Sequence, residues 1–290
     1  SRSIAELERR VGTRLFDRNS AGIEPTAMGS LLLERADELL ARSADLGNEM
    51  ESLQGRGAGT LRIGAGTYPA GILVGDALAA LLKRHPHTGA RVVVDNVLNL
   101  VPLLRRRELD LVIGDATEFA DDTEFLITAL APRQGYFACR AGHPLLTKQS
   151  SLTLADVVAF PLVATSRLTP RLLGPIVTAF RQSANDGSLP SAPSVTCESL
   201  SMMKSIVAGS DAIAILPLAA INLDRAPGRL AVLPLVEPWL TASFAIMRLA
   251  RRTPPPSSEI FTQLLLEKDA ALTRVTGKAH EKLFAGQPGP

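Results

Sequence analysis

The sequence of 290 residues has little of several features that mark whole classes of protein. Its two cysteines, Cys139 and Cys197, are too few for a disulfide framework, and we interpret both as small buried hydrophobic residues. No segment approaches about 18 uncharged apolar residues, and the charged start SRSIAELERR differs from a signal peptide. We therefore expect a cytoplasmic protein with no membrane partner. The net charge is only +2, so binding to nucleic acid would need a local basic patch.

Motifs for catalysis and for metal binding are also missing. The sequence contains no GxSxG, HExxH or GxxxxGK[ST] motif. Ser201 and Lys204 form an SxxK pair, but the SDN and KTG motifs that accompany it in acyl-transfer enzymes are absent. His85 and His87 lie beside a proline with no acidic or cysteine ligand nearby in sequence, whereas zinc needs several converging ligands. We expect a protein that is not an enzyme and binds no metal.

A dinucleotide-binding fingerprint fails at one position. Gly64 and Gly66 follow a predicted strand at 61–63, but Pro69 stands where GxGxxG requires its third glycine. Asp95, at the end of the next predicted strand, is not sufficient by itself. We therefore expect no cofactor, and interpret the glycines as the sharp turn from a strand into a helix.

The N-terminal residues predict a helix, a hairpin and a second helix. Apolar residues at helical spacing indicate a helix over 1–12, and Gly12 tolerates the left-handed conformation that follows a helix end. Two short apolar segments at 14–18 and 22–26 flank a turn-rich insert, which is typical of a hairpin or wing. The hydroxyl of Thr26 can then cap the exposed amides of the next helix.

The second helix carries a heptad pattern. Seven positions with 4-3 spacing run along it, and six of them are apolar. The apolar six are the predicted dimerisation residues: Leu32, Ala36, Leu39, Leu46, Met50 and Leu53. The alternative is an amphipathic helix that packs on its own domain. The length of the helix and its unbroken seam favour dimerisation.

After a glycine-rich link at 55–59 the periodicity changes. Short apolar strands alternate with helices over about 61–113 and again over about 136–216, which predicts an α/β fold with mostly parallel sheets. A last helix is predicted at 257–268, with a weakly ordered tail beyond Asp269.

Three groups of residues share their pattern with one known family. The N-terminal pattern is Leu-Glu at 7–8, Gly12, Leu-Phe-x-Arg at 15–18, Thr26 and Gly29. The second group is RRRELDLVIGD at 105–115 with His-Pro turns at 85 and 143, and the third is VAGSDAIAILP at 207–217. In these residues the chain resembles the LysR-type transcriptional regulators. Since the chain enters the family's winged helix-turn-helix partway along, we expect earlier helices of that motif to precede Ser1.

The resemblance implies the fold. It predicts an α/β effector domain of two lobes, similar to type 2 periplasmic binding proteins, preceded by a partial winged helix-turn-helix and a long linker helix. The expected domains are 1–25 (DNA binding), 26–56 (linker), 57–268 (effector domain) and 269–290 (tail). Lobe I is expected to comprise 57–138 and 242–268, lobe II 139–241, with hinge crossings near 137–140 and 241–244.

Four residues are candidates for contact with DNA. A recognition helix needs hydrogen-bond donors that reach base edges and phosphates, and Ser1, Arg2 and Ser3 supply them. Arg18 begins the predicted wing, where a positive side chain can reach the phosphate backbone. An ion pair within the wing is the alternative role for Arg18.

The effector site is expected where two helices begin at the cleft between the lobes. Helix N-termini offer free amides and partial positive charge to anions, although ordinary helix capping is the alternative at both places. The candidate residues are Gly66, Thr67, Tyr68, Val97, Thr165, Ser199, Leu200 and Ser201.

These patterns predict a regulator that is a homodimer or homotetramer, binds double-stranded promoter DNA and responds to a small effector, often anionic in this family. A two-lobed solute-binding protein without DNA binding is the alternative. It would share the cleft, but would leave the winged motif and the heptad helix unexplained.

Overall fold

The N-terminal module consists of a helix, a hairpin and a long helix. The structure is a computed structural model that describes residues 2–19, 22–53, 60–166, 168–183, 193–222 and 229–285. Its first elements are α1 (Arg2–Val11), β1 (Phe16–Asn19), β2 (Gly22–Pro25) and α2 (Ala27–Leu53). Gly12 follows α1 with φ +76°, and β1 and β2 form an antiparallel pair. The helix end, the hairpin and the second helix are confirmed.

Side chains fasten this module at its turns. One carboxylate oxygen of Glu8 accepts hydrogen bonds from the amides of Leu15 and Phe16, at 2.8 and 3.2 Å, and so fixes the turn before the hairpin. The Thr26 hydroxyl accepts from the Gly29 amide at 3.0 Å and donates to the Arg14 carbonyl at 2.9 Å. The predicted cap by Thr26 is confirmed, and it also joins α2 to the hairpin.

The heptad seam of α2 is partly uncovered in the single chain, as far as it is described. Leu39 is 68% exposed and the adjacent Leu40 is 69% exposed, whereas Leu32 and Ala36 are half-buried. The side chains of the other three predicted dimerisation residues, Leu46, Met50 and Leu53, lie outside the described residues. Leucines this exposed are typical of a surface that another chain covers.

From residue 61 onward, strands and helices alternate. The first unit contains β3 (Leu61–Ala65), α3 (Thr67–Pro69), a π-helical turn (Ala70–Val74), α4 (Gly75–Arg84), β4 (Ala90–Val94), α5 (Val97–Arg105), β5 (Leu111–Asp115) and β6 (Phe125–Ala129). The second contains β7 (Arg133–Arg140), α6 (Leu154–Val158), β8 (Leu162–Ala164), α7 (Pro170–Ser183), β9 (Val195–Thr196), α8 (Leu200–Gly209), β10 (Ile213–Pro217), α9 (Leu218–Asn222), β11 (Leu230–Val232) and β12 (Thr241–Ala242). The chain ends with β13 (Phe244–Leu249) and α10 (Pro256–Leu283), and two 3-10 turns lie at Thr117–Phe119 and Pro144–Thr147.

The two sheets are mixed rather than mostly parallel. In lobe I the strand order is β4-β3-β5-β13-β6, where β3 is parallel to β4 and β5 but β13 is antiparallel to β5 and β6. In lobe II the order is β11-β7-β10-β8-β9, with β7 antiparallel to β10 and β11. The prediction of mostly parallel sheets is wrong because the strands next to each crossing enter their sheets in the opposite direction.

The first crossing between the lobes lies earlier than predicted. All of β7 belongs to the sheet of lobe II, so the chain leaves lobe I at 130–132 and not at 137–140. Periodicity could not place it, because an apolar strand looks alike in either sheet. The chain returns to lobe I at Ser243, between β12, which pairs with β7, and β13, which pairs with β5.

The last helix is much longer than predicted. The expected helix ended at Lys268 and gave way to a weakly ordered tail, but α10 continues to Leu283. Leu272 and Ala279 of the added turns, and Phe284 beyond them, pack against the core that the lobes share. Burial of one side of these turns stabilises the helix in a segment where a weakly ordered tail was expected.

Asp269 of α10 fixes the first crossing. Its carboxylate accepts a hydrogen bond from the amide of Ala131 at 2.9 Å and forms an ion pair with the guanidinium of Arg133. Arg133 also donates to the Thr273 hydroxyl at 2.9 Å. Arg133 and Asp269 are both buried, so each charge depends on the other for its stability.

Replacement of Asp269 by alanine is expected to lower the free energy of unfolding by about 3 kcal/mol or more, because it leaves the buried charge of Arg133 without its partner. The measurement is urea unfolding followed by circular dichroism. Glu267→Ala is the matched control on the same helix: its ion pair with Arg84 is long, at 3.7 Å, and exposed, so we expect a change within about 1 kcal/mol. Equal effects of the two substitutions would contradict this role for Asp269.

Candidate functional site

A cavity of about 120 Å³ lies between the two lobes. Its lining comes from both lobes and from the second crossing, and it combines aromatic and aliphatic side chains with carboxylates. The lining residues are Gly66, Thr67, Tyr68, Pro69, Asp95, Asn96, Val97, Leu98, Gly114, Asp115, Glu118, Phe119, Thr165, Leu168, Thr169, Leu172, Glu198, Ala242 and Phe244.

The lining follows from the sheet topology. Thr67, Asp95 and Asp115 lie at or just after the carboxyl ends of the parallel strands β3, β4 and β5. Thr165 and Glu198 follow β8 and β9, which are parallel neighbours in the other lobe. Ligands of open α/β sheets bind outside the carboxyl ends of the strands, and here two such edges line one cavity.

Glu198 joins the two lobes across this cavity. One of its carboxylate oxygens accepts a hydrogen bond from the hydroxyl of Thr67 in lobe I at 2.6 Å. The other accepts from the amide and the hydroxyl of Ser166 in lobe II, at 2.7 and 2.5 Å. A carboxylate bound from two sides in this way fixes the spacing of the lobes at this point.

Tyr68 makes a second contact between the lobes. Its hydroxyl donates to the backbone carbonyl of Ile215 in β10 at 2.9 Å. Burial raises the pKa of the Tyr68 phenol well above its ordinary value, and the negative charge of Glu198 adds to the shift. The phenol therefore stays protonated and remains a hydrogen-bond donor throughout the neutral pH range.

Comparison with known proteins identifies the family. The model of the LysR substrate-binding domain matches residues 54–270. The chain belongs to the LysR family of transcriptional regulators. Among its relatives is an SDS degradation transcriptional activation protein of Pseudomonas sp., which is 34% identical over 273 residues, 93% of this chain and 87% of the relative. These relatives are regulators rather than enzymes.

Solved LysR structures share the fold. A full-length OxyR variant of Pseudomonas aeruginosa has 21% identity and a TM-score of 0.63, over 91% of this chain and 86% of OxyR. CbnR, a LysR family regulator that has also been solved with its target DNA, has 18% identity and the same TM-score, over 92% of this chain and 88% of CbnR.

The structure brings five of the predicted effector residues to the cavity and leaves three outside its lining. Gly66, Thr67, Tyr68, Val97 and Thr165 lie in the lining, whereas Ser199, Leu200 and Ser201 do not.

The three residues outside the lining lie in other surroundings. The Ser199 hydroxyl accepts from the Met202 amide at 3.3 Å and so caps α8, which was the alternative role. Leu200 packs against Gly71 of lobe I, where an added Cβ would come within 2.3 Å of the leucine. Ser201 is exposed in the first turn of α8. Glu198 lines the cavity, whereas these three residues directly after it do not.

Glu198, Asp115 and Phe244 are the most informative of the lining residues that the sequence analysis missed. Asp115 could have been found, since an acid at the end of a predicted parallel strand lies at the edge where ligands bind. Phe244 and Glu198 had no such signal. Phe244 follows a crossing between the lobes, and Glu198 follows a strand of only two residues.

The candidate DNA residues belong to the N-terminal helix and hairpin. Arg2 and Ser3 are exposed on α1, whereas Ser1 and the side chain of Arg18 lie outside the described residues. Arg9 and Arg10 both form ion pairs with Glu6, at 2.7 and 3.1 Å, and these bonds lower the pKa of Glu6. Glu6 therefore holds the charges of Arg9 and Arg10, whereas Arg2 lies at the start of α1.

Within the described residues, no three His, Cys, Asp or Glu side chains are grouped as metal ligands. No helix in the same part of the chain is long and apolar enough to cross a membrane.

A titration of tyrosine absorbance tests the contact of Tyr68 between the lobes. The chain has two tyrosines, and burial raises the pKa of Tyr136 as well as that of Tyr68. Unfolded tyrosine ionises at about pH 10, so stability from both phenols is complete below that pH and falls above it. We expect no tyrosinate absorbance from the native protein near pH 10. In urea, both residues should titrate normally. Native ionisation of the whole tyrosine signal near pH 10 would contradict a buried Tyr68.

Proposed function

We propose that this LysR regulator binds promoter DNA as a homodimer or homotetramer and that a small molecule in the cavity between its lobes controls its activity. The observation that carries the proposal is the cavity itself. It lies at the carboxyl edges of both sheets, and Glu198 and Thr67 join the lobes across it. A regulator of this kind works where the DNA lies, which is the cytoplasm in the bacteria named for its relatives.

The exposed leucines of α2 support assembly through that helix. A single chain leaves Leu39 and Leu40 mostly in contact with water, and a partner helix on the heptad seam would remove this apolar surface from solvent. The seam residues Leu32 and Ala36 continue the same stripe toward the hairpin. We infer that paired α2 helices set the distance between two DNA-binding modules.

The effector acts through the arrangement of the lobes. A ligand shifts an equilibrium between two arrangements only by the difference in its affinity for them. A compound that contacts both edges of the cavity has such a difference, because its contacts depend on the separation of the lobes. A change in that separation, passed to the paired modules, would alter how they match half-sites about one helical turn apart.

A solute-binding protein without DNA binding would use the same cavity. It would leave unexplained a hairpin joined to a long helix by the Thr26 cap, and the exposed leucines of that helix, one of which lies on the heptad seam. The regulator accounts for both.

A gel shift tests DNA binding. The protein, with any residues encoded before Ser1, is titrated against DNA from upstream of its own gene at low and physiological salt. We expect specific binding that weakens with salt, because bound phosphates release counterions. Arg2→Ala should reduce the slope of log affinity against log salt by about 1.

Arg9→Ala is the control for that experiment, because its guanidinium is held by Glu6 at 2.7 Å and we expect a smaller change in slope. Absence of specific binding at both salt concentrations would refute the proposed function and favour the solute-binding protein.

Replacement of Thr67 by leucine is expected to abolish the response to effector. Thr67 is buried in the cavity lining, so a larger apolar side chain fills ligand space and removes the donor to Glu198. The measurement is expression of a reporter gene placed behind the promoter found by gel shift. It is made in the growth medium in which the unmodified protein gives the strongest induction of the reporter. Ser201→Leu, on the exposed first turn of α8 and outside the lining, should retain induction. Normal induction with Thr67→Leu would place the effector elsewhere.

A further inference from the structure

The charged groups of the cavity have one sign in the part of the chain that the structure describes. Of the described lining residues, Asp95, Asp115, Glu118 and Glu198 are acids, and none is lysine, arginine or histidine. The family resemblance implies an effector that is often anionic, and helix starts at the cleft would offer amides to such a group. The described part of the lining carries negative charge instead.

Three hydroxyl groups at or near the two helix starts already have partners in the protein. The Thr67 hydroxyl donates to Glu198, and the Tyr68 hydroxyl donates to the carbonyl of Ile215. The Ser199 hydroxyl accepts from the Met202 amide as a helix cap. A carboxylate ligand would have to break the bonds made by Thr67 and Tyr68 before it could use those two donors.

Glu198 stands where such a ligand would bind. It is half-buried, lines the cavity and accepts three hydrogen bonds from Thr67 and Ser166 at 2.5 to 2.7 Å. It is thus the protein's own carboxylate at the place where the strand edges of the two lobes meet. A second carboxylate there would meet a like charge in a site partly shielded from water, where repulsion is strong.

A carboxylate can accept about four hydrogen bonds, and three of these positions are occupied on Glu198. Its remaining acceptor position suits a hydroxyl or an ammonium group of a ligand. The rest of the lining offers an apolar surface that includes Phe119, Leu172 and Phe244. A cavity of about 120 Å³ is of the size that holds a single aromatic ring.

We propose that Glu198 sets the charge class of the effector, so that the cavity selects a small apolar compound with a neutral or positively charged hydrogen-bond donor and rejects carboxylates. This inference rests on the proposed function, since it concerns the ligand of the same cavity. It goes beyond that function because it assigns the selection of the effector's charge to one residue.

The test uses three probes with one body and different head groups: benzylammonium, benzyl alcohol and benzoate. Isothermal titration calorimetry measures their binding to the full chain without DNA. We expect the two donor probes to bind at least about tenfold more tightly than benzoate, because like charges at a buried contact are strongly disfavoured. Glu198→Gln preserves the size of the side chain and removes its charge. It should reduce the preference for benzylammonium over benzoate by at least about tenfold.

Glu267→Gln is the matched control, since it removes the same charge from an exposed position outside the cavity lining and should leave the preference unchanged. A thermal melt of each variant checks that the fold is retained. Tighter binding of benzoate by the unmodified protein, an unchanged preference in Glu198→Gln, or no binding of any probe to either protein would overturn the proposal. None of these outcomes affects the promoter gel shift, which decides the proposed function separately.

Discussion

The arrangement of the two lobes depends on one buried ion pair. Asp269, on a helix that starts in lobe I, holds both the amide of Ala131 and the guanidinium of Arg133, where the chain first passes into lobe II. Neither charge could remain buried without the other. Farther along the helix, His280 shares a 2.7 Å hydrogen bond with the Tyr136 hydroxyl of lobe II. The helix α10 therefore holds the first crossing and also contacts lobe II beyond it.

At the cavity, the lobes are joined by contacts of a different kind. Glu198 and Thr67 meet through a charge-assisted hydrogen bond, and Leu200 packs on Gly71 beside it. A polar contact of this kind can exchange one partner for a ligand, whereas the buried pair of Arg133 and Asp269 cannot exchange a partner without a large loss of stability. The ion pair is suited to hold the hinge, and the polar contact is suited to respond to a ligand.

Elements that depend on local pattern were predicted well. The end of α1 at Gly12, the hairpin, the cap at Thr26 and the length of α2 all follow from neighbouring residues, and each was confirmed. Predictions failed where distant residues decide. The extension of α10 past Lys268 requires a surface of the lobes to pack on, and the first crossing at 130–132 requires knowledge of which sheet takes β7.

The sequence by itself determined the family, the order of the elements and five residues of the cavity lining, because helix periodicity, turn residues and strand ends act over a few positions. Tertiary structure alone decided which charged groups line the cavity. Thr67 and Glu198 are 131 residues apart, and no local pattern shows that a carboxylate from one lobe uses the hydroxyl of the other. The charge of a binding site is a sum over residues that only the fold brings together, and for this reason the sequence could locate the cavity without indicating its preferred ligand.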